Sequence, residues 1–450
     1  MTDQPHEDTS LSSHSLSRRR VLRFGAGAVS ASALSAFLAA CGGSPKETAA
    51  PASTAASSAS TAASTAAAAS AGGELKVGIM HSLSGALSIS EKAVVDGEQL
   101  AIEEINKAGG VMGKKLVAIV EDGASDPATF AEKAKKLVQS DKVPVVFGCW
   151  TSSSRKAVRP VFKDSASLLF YPVQYEGLEM DKNIYYLGAT TNQQIVPSVE
   201  YLLEKGKKSF FLLGSDYVFP RTANGIIKAQ VTAAKAKFVA EEYVPLSGGS
   251  NDFSTVIAKI KSSGADVVYN TLNGDSNVAF FKQLRDAGLT ADKLTTCSVS
   301  IAEEEARAIG GDVMKGHLVA WNYYQTTKNP VNEKFVAAYK EKFGKDRVTA
   351  DPIEAGYTGV HLWAMAANKA KSTEVAKVRE ALAGMTFDAP EGKVTVSAKN
   401  NHLVKTFRMG QIRADGLIDE IYATPKPVEP DPYLETYSWA GEFSKQKPAS

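Results

Sequence analysis

From residue 75 onward, short apolar runs alternate with stretches in which apolar residues recur every three or four positions. Leu75, Val77, Ile79 and Met80 mark a first strand over 75–80. Val94, Gly97, Ala101, Ile105 and Ala108 then share one helical face, which Gly109-Gly110 ends. A strand over 115–120 precedes a helix striped by Phe130, Ala134, Leu137 and Val138. The pattern continues with a buried strand at 143–147, a helix from about Ser153 and a strand at 168–171. A second unit of the same kind starts near Asn192, with strands predicted at 209–213, 238–244 and 266–271. Its helices carry Ala223, Ile226, Ile227 and Val231, then Phe253, Val256, Ile257 and Ile260, then Val278, Phe281 and Leu284. Helical spacing returns over 333–343, 353–369 and 373–383, and antiparallel strands are predicted at 393–396 and 402–422.

Repeated β-α units predict an α/β fold of two doubly wound parallel-sheet lobes, with ligand chemistry at the strand C-termini. Three hinge crossovers are expected near 188–194, 318–324 and 384–392. That assigns 74–191 and 323–386 to lobe one, 192–322 and 387–425 to lobe two, and 426–450 to a C-terminal extension. Periodicity alone fits two α/β domains in tandem equally well.

The first 73 residues have a different pattern. Arg18, Arg19, Arg20 and Arg23 precede a weakly apolar run over 24–40 that ends Leu38-Ala39-Ala40-Cys41. About 17 residues, mostly Ala, Ser and Gly, are too few and too polar for a span, which needs roughly 20 strongly apolar ones. The arrangement describes an export signal over 1–40. Its arginines resemble a twin-arginine signal and Leu-Ala-Ala-Cys resembles a lipoprotein box, so Cys41 is the expected lipidation site. Residues 44–72 are nearly all Ala, Ser and Thr. Such a segment buries too little apolar surface to order itself, so 41–73 is expected to tether a globular part outside the cytoplasmic membrane.

Charge removes some functions. The formal net charge is +2; Arg18, Arg19, Arg20 and Arg23 against Asp3, Glu7 and Asp8 put 1–40 at +1, leaving the rest near +1. That balance gives no electrostatic basis for nucleic-acid binding. His81, His317, His361 and His402 have no metal-ligand spacing, and no nucleotide loop occurs, so neither metal nor cofactor is expected. Cys149 and Cys297 each end a predicted strand and are expected as free core thiols.

Three strand-to-helix turns carry candidate chemistry. Phe147-Gly148-Cys149-Trp150-Thr151-Ser152-Ser153-Ser154-Arg155 puts consecutive hydroxyls at a helix start. They serve as N-caps or, with the free N–H groups there, as a cradle for a ligand oxygen. Trp150 is harder to explain by capping. Phe170-Tyr171-Pro172-Val173-Gln174-Tyr175-Glu176-Gly177 supplies flat rings with polar tips, for packing or for a ligand. Gly214-Ser215-Asp216-Tyr217 and Thr271-Leu272-Asn273-Gly274-Asp275-Ser276 come from the second unit. Asp275 is either a helix cap or an acceptor for ligand N–H groups.

These motifs, with Asp388-Ala389-Pro390-Glu391-Gly392 and Asn400-Asn401-His402, closely resemble the urea ABC transporter substrate-binding proteins. That family belongs to the branched-chain amino acid and amide-binding group of type I periplasmic binding proteins. The resemblance spans 74–432, with one departure at Asp126-Pro127-Ala128, where the family often shows Asp-Trp-Pro. It implies a non-enzymatic receptor that closes on its ligand and hands it to an ABC permease and ATPase. On matching positions, Trp150, Ser152, Tyr171, Val173, Gln174 and Tyr175 would line lobe one, and Tyr217 and Asp275 would close from lobe two.

These residue types suit a small planar amide. Urea offers one carbonyl acceptor and four N–H donors in a plane. Groups near Ser152 and Val173 would hold the oxygen, while Asp275 and Gln174 would accept N–H groups. On this reading Asp275→Ala weakens urea binding by about 2 kcal/mol. Tyr171, Gln174 and Tyr175 would fill the space that a branched-chain amino acid needs. Short amides such as acetamide or formamide fit nearly as well as urea. The other classes are an amide hydrolase, with Cys149 as nucleophile and Glu176 as base, and an amide sensor regulating a partner.

Overall fold

The computed structural model describes residues 72–163, 165–246 and 251–448. The expected signal, Cys41 and the tether up to 71 lie outside them. The first sheet holds β1 (Glu74–His81), β2 (Lys115–Asp122), β3 (Val145–Gly148), β4 (Leu168–Tyr171) and β5 (Ile184–Tyr186). Their order is β2-β1-β3-β4-β5 and every neighbouring pair is parallel. Every residue of β3 and β4 is buried, as parallel strands covered on both faces require. Helices α1 (Ser88–Lys107), α2 (Pro127–Lys135) and α3 (Ser152–Lys163) follow β1, β2 and β3. At the Asp-Pro-Ala departure, Asp126 caps α2 by accepting the Thr129 N–H at 2.7 Å, with Pro127 in the first turn.

The second sheet has a parallel core of β6 (Ser209–Ser215), β7 (Lys237–Val244), β8 (Val267–Thr271), β9 (Thr295–Ser298) and β10 (Leu318–Trp321). Around it run α4 (Ile195–Glu204), α5 (Val218–Ala233), α6 (Ser254–Ser263) and α7 (Ser276–Asp286). A small antiparallel sheet follows: β11 (Thr386–Ala389), β12 (Gly392–Val396) and β13 (Leu403–Val404). The hairpin of β14 (Arg408–Ile412) and β15 (Ile418–Ala423) then extends the second sheet, giving β15-β14-β10-β9-β8-β6-β7. The architecture is the type I periplasmic binding protein fold.

The chain passes from one sheet's helices to the other's three times. The first passage, 187–194, and the second, 322–329, lie close to the expected positions. The third does not: it runs through 405–407, not 384–392. The reason is local pairing. β11, β12 and β13 satisfy one another, and a bridge between Tyr186 and His402 joins them to the first sheet before the chain crosses. Short strands look alike in sequence whichever lobe receives them. One side chain links all three passages: Asn322 Nδ2 donates to Gln193 O at 3.2 Å and to Thr406 O at 3.0 Å. Lys405 adds a bond from Nζ to Leu187 O at 2.8 Å.

Candidate functional site

Strand order reverses between β1 and β3 in the first sheet and between β6 and β8 in the second. Connections diverge at such points and leave a crevice beyond the strand C-termini. The loops after these four strands face one another across the lobes. Trp150 Nε1 donates to Asn273 Oδ1 at 3.3 Å, and the Asp275 N–H donates to Ala86 O at 3.3 Å. Gly274 makes this approach possible. Its φ is +65°, and a Cβ there would sit 2.5 Å from Ala86 O. Gln174 reaches across as well, donating from Nε2 to Val299 O at 2.8 Å and to Ser300 Oγ at 3.0 Å. The lobes are therefore closed on each other. A cavity of about 540 Å³ opens beside these contacts, lined by Gly85, Ser125 and Thr151 from one lobe and Asp216, Tyr217 and Leu246 from the other.

The start of α3 is a knot of charge. Arg155 is fully buried, its Nε 2.8 Å from Glu179 Oε1 and its Nη2 3.4 Å from Glu176 Oε1. Its guanidinium carbon lies 4.5 Å from the Tyr175 ring centre and 4.9 Å from that of Tyr171. Arg155 Nη1 also donates to Ser152 Oγ at 3.0 Å, and Ser152 in turn donates to Glu176. Burial works against an ionised Glu179, yet Arg155 and Lys156 hold its carboxyl down at about 2.

The sequence candidates divide accordingly. Trp150 and Gln174 are buried and span the lobes. Val299 O accepts only, so the Gln174 amide must turn its nitrogen there, and Oε1 is left buried with no protein partner. Ser152 is buried, but its hydroxyl is already engaged within lobe one. Tyr171 donates its hydroxyl to Trp150 O at 2.5 Å, fixing the loop that presents the indole. Val173 is buried against the first crossover, where a Cβ on Gly188 would come within 2.0 Å of the Val173 carbonyl carbon. Tyr217 is half-buried at the start of α5. It lines the cavity between the lobes, and burial first, then Tyr171, Glu176 and Glu91, hold its hydroxyl well above the usual range against an opposing pull from Arg155.

Two expectations need correcting. Tyr175 is a core residue: it stacks on Tyr186 and His402, and its hydroxyl bonds Glu179 O at 2.9 Å and His402 Nε2 at 2.6 Å. Its ring serves Arg155 and not the crevice. Asp275 is exposed and its carboxylate forms no cap bond. Asn273, just before Gly274, is the buried polar residue of that loop, and its Oδ1 meets Trp150.

Sequence reasoning missed Asn273, Arg155, Ser300 and a buried trio on β1 and α1. In that trio His81 Nε2 lies 3.0 Å from Glu98 Oε1, and its Nδ1 lies 3.5 Å from Glu91 Oε2. Burial would lower the imidazole's pKa, but the two carboxylates outweigh it and raise it to about 9. Glu91 and Glu98 are two turns apart on the buried face with Val94, a signal the sequence did contain. Cys149 and Cys297 are free and buried, as expected. Burial pushes the Cys149 thiol far up, and Glu91 adds to this, which disfavours the thiolate that nucleophilic attack requires. Among the described residues no group of acidic, His and Cys side chains could hold a metal ion, and no helix is long and apolar enough to cross a membrane.

Comparison with known proteins adds to this geometry. The family described as the periplasmic binding protein domain matches residues 75–439. Leu/Ile/Val-binding protein homolog 7 of Brucella melitensis is 27% identical over 375 residues, covering 78% of this chain and 92% of its own. Homolog 6 of Brucella abortus is 26% identical over 346 residues, covering 75% and 87%. A solute-binding protein of an ABC transporter from Rhodopseudomonas palustris HaA2, in complex with p-hydroxybenzoic acid, aligns with TM-score 0.74 at 23% identity, covering 81% of this chain and 100% of that one. A leucine-binding protein from Thermotoga maritima aligns with TM-score 0.68 at 20% identity, covering 78% and 98%. At these identities the structural likeness shows the fold alone.

Proposed function

The chain belongs to the periplasmic binding protein family, and from that premise we propose that it captures urea between its lobes outside the cytoplasmic membrane. An export signal over 1–40 of twin-arginine type and a lipid on Cys41 would tether it there. The closed receptor would then deliver urea to an ABC permease and its ATPase. The observation that carries the choice of ligand is the internal neutralisation at α3. Arg155 is matched by Glu176 and Glu179, and the Ser152 hydroxyl points its proton at Glu176. An anionic ligand group approaching the start of α3 would meet Glu176 in place of a free donor. A neutral molecule rich in N–H groups would instead find acceptors such as Gln174 Oε1.

That argument separates this chain from the p-hydroxybenzoic acid and leucine named for its structural neighbours, since both carry a carboxylate. Short-chain amides such as acetamide and formamide remain the nearest alternative class. The likeness to Leu/Ile/Val-binding protein homologues favours a branched-chain amino acid as a second reading. Binding without turnover is the expected behaviour, since burial disfavours the Cys149 thiolate that an amide hydrolase would use.

Calorimetry with urea, acetamide, leucine and 4-hydroxybenzoate decides among these. Four heavy atoms at a ceiling of about −1.5 kcal/mol each allow roughly −6 kcal/mol, so urea should bind no tighter than a Kd on the order of tens of micromolar. Leucine or 4-hydroxybenzoate binding tighter than urea would overturn the proposal.

A further inference from the structure

We infer that Glu91 contacts the ligand and, together with Gln174, reads N–H groups at both ends of the bound molecule, which makes the site select urea over acetamide or formamide. This rests on the amide-binding reading above and sharpens it. Glu91 stands in the first turn of α1 and is fully buried. Its Oε2 accepts the Ser82 N–H at 2.7 Å, which fixes the carboxylate at the mouth of the loop 82–87. Ala86 of that same loop makes the lobe contact with Asp275. The other oxygen, Oε1, is buried and has no hydrogen-bond partner in the protein.

A carboxylate oxygen is acceptor-only, so this atom asks for a donor. His81 does not supply it, since its near contact is to Oε2. Ala86 and Leu87 of the loop 82–87 line the cavity between the lobes together with Thr151 and Tyr217, and the Glu91 N–H donates to Leu87 O at 3.1 Å, so Glu91 stands one helical turn behind that wall. On the other side, the Tyr171 hydroxyl lies 2.5 Å from Trp150 O and 3.4 Å from Gln174 O, and Thr151, next to Trp150, lines the same cavity. Two unpartnered acceptors, Glu91 Oε1 on α1 and Gln174 Oε1 after β4, thus stand on separate elements whose neighbouring residues meet the other lobe.

Urea has an NH2 group for each. Acetamide and formamide have one NH2 and must present a methyl group or a C–H to the other acceptor. Leaving a buried charged acceptor unpaired is costly, and sites built to bond a polar group discriminate strongly against analogues that lack it.

Glu91→Gln tests this in calorimetry with urea and acetamide as the two probes. The Ser82 N–H still requires an oxygen, so the new amide turns its NH2 toward the ligand, where it opposes the urea donor but not the acetamide methyl. The wild-type protein should prefer urea over acetamide by at least about tenfold, and the variant should lose most of that preference through weaker urea binding. Equal loss of both ligands, or an unchanged ratio, overturns the assignment, because a structural role for Glu91 would weaken both alike. Should Glu91→Gln fail to fold, Glu91→Asp keeps the charge, withdraws the oxygen from the ligand and is read the same way. A wild-type protein that binds neither urea nor acetamide would instead refute the amide-binding reading itself.

Discussion

His81 shows how much a single buried group can depend on residues the sequence does not mark as its partners. Spacing gave it no metal to bind, and its environment is set by Glu98 and Glu91 from the facing helix. Its pKa, raised to about 9 from an ordinary 6.5, has a thermodynamic consequence. The imidazolium stabilises the folded chain fully below about pH 6.5, where the unfolded chain is protonated too. That contribution fades as the pH rises toward 9, because the folded state then retains a proton the unfolded state has lost. The unfolding midpoint should fall between pH 6.5 and 9, with up to about 3 kcal/mol at stake. His81→Gln should flatten this slope, and equal slopes in the two proteins would refute the account. Trp150 stood out as a candidate because an indole in a strand-to-helix turn is hard to explain by capping, and the structure sets it and Gln174 against the other lobe. Tyr175 was not separable from Tyr171, because both are tyrosines beside a strand end and only their partners differ.

At the level of elements, the alternation of apolar runs and helical stripes located the strands of both parallel sheets, since a fully covered strand must be apolar throughout. The third crossover was misplaced because the β11–β12 hairpin pairs within itself and carries no mark of the lobe it joins. Asp275 was misjudged for a different reason: sequence cannot say which way a positive-φ glycine turns the residue after it. The loop 272–275 nonetheless carries two of the contacts between the lobes, from Asn273 and from the Asp275 N–H. Gly274→Val would place a branched side chain against Ala86 O in a conformation that disfavours it. Urea affinity should drop about tenfold or more, which corresponds to at least 1.4 kcal/mol. Unchanged affinity in calorimetry would mean that this contact plays no part in capture.

For the molecule as a whole, the two-lobed plan was readable from the repeated β-α units, and the hinge was not. Asn322 ties the three passages to one another, although they lie far apart in sequence and none is distinguished by composition. Such a hinge allows the lobes to separate when Trp150–Asn273 and Gln174–Val299 contacts open, and a ligand that bonds both sides shifts the population toward closure. On the proposed reading urea should do this and a carboxylate-bearing ligand should not, since Arg155 is already matched by Glu176 and Glu179. Small-angle X-ray scattering of the protein with and without millimolar urea, and with leucine, measures closure directly. The account predicts a smaller radius of gyration with urea and none of that change with leucine; contraction with leucine alone would contradict it.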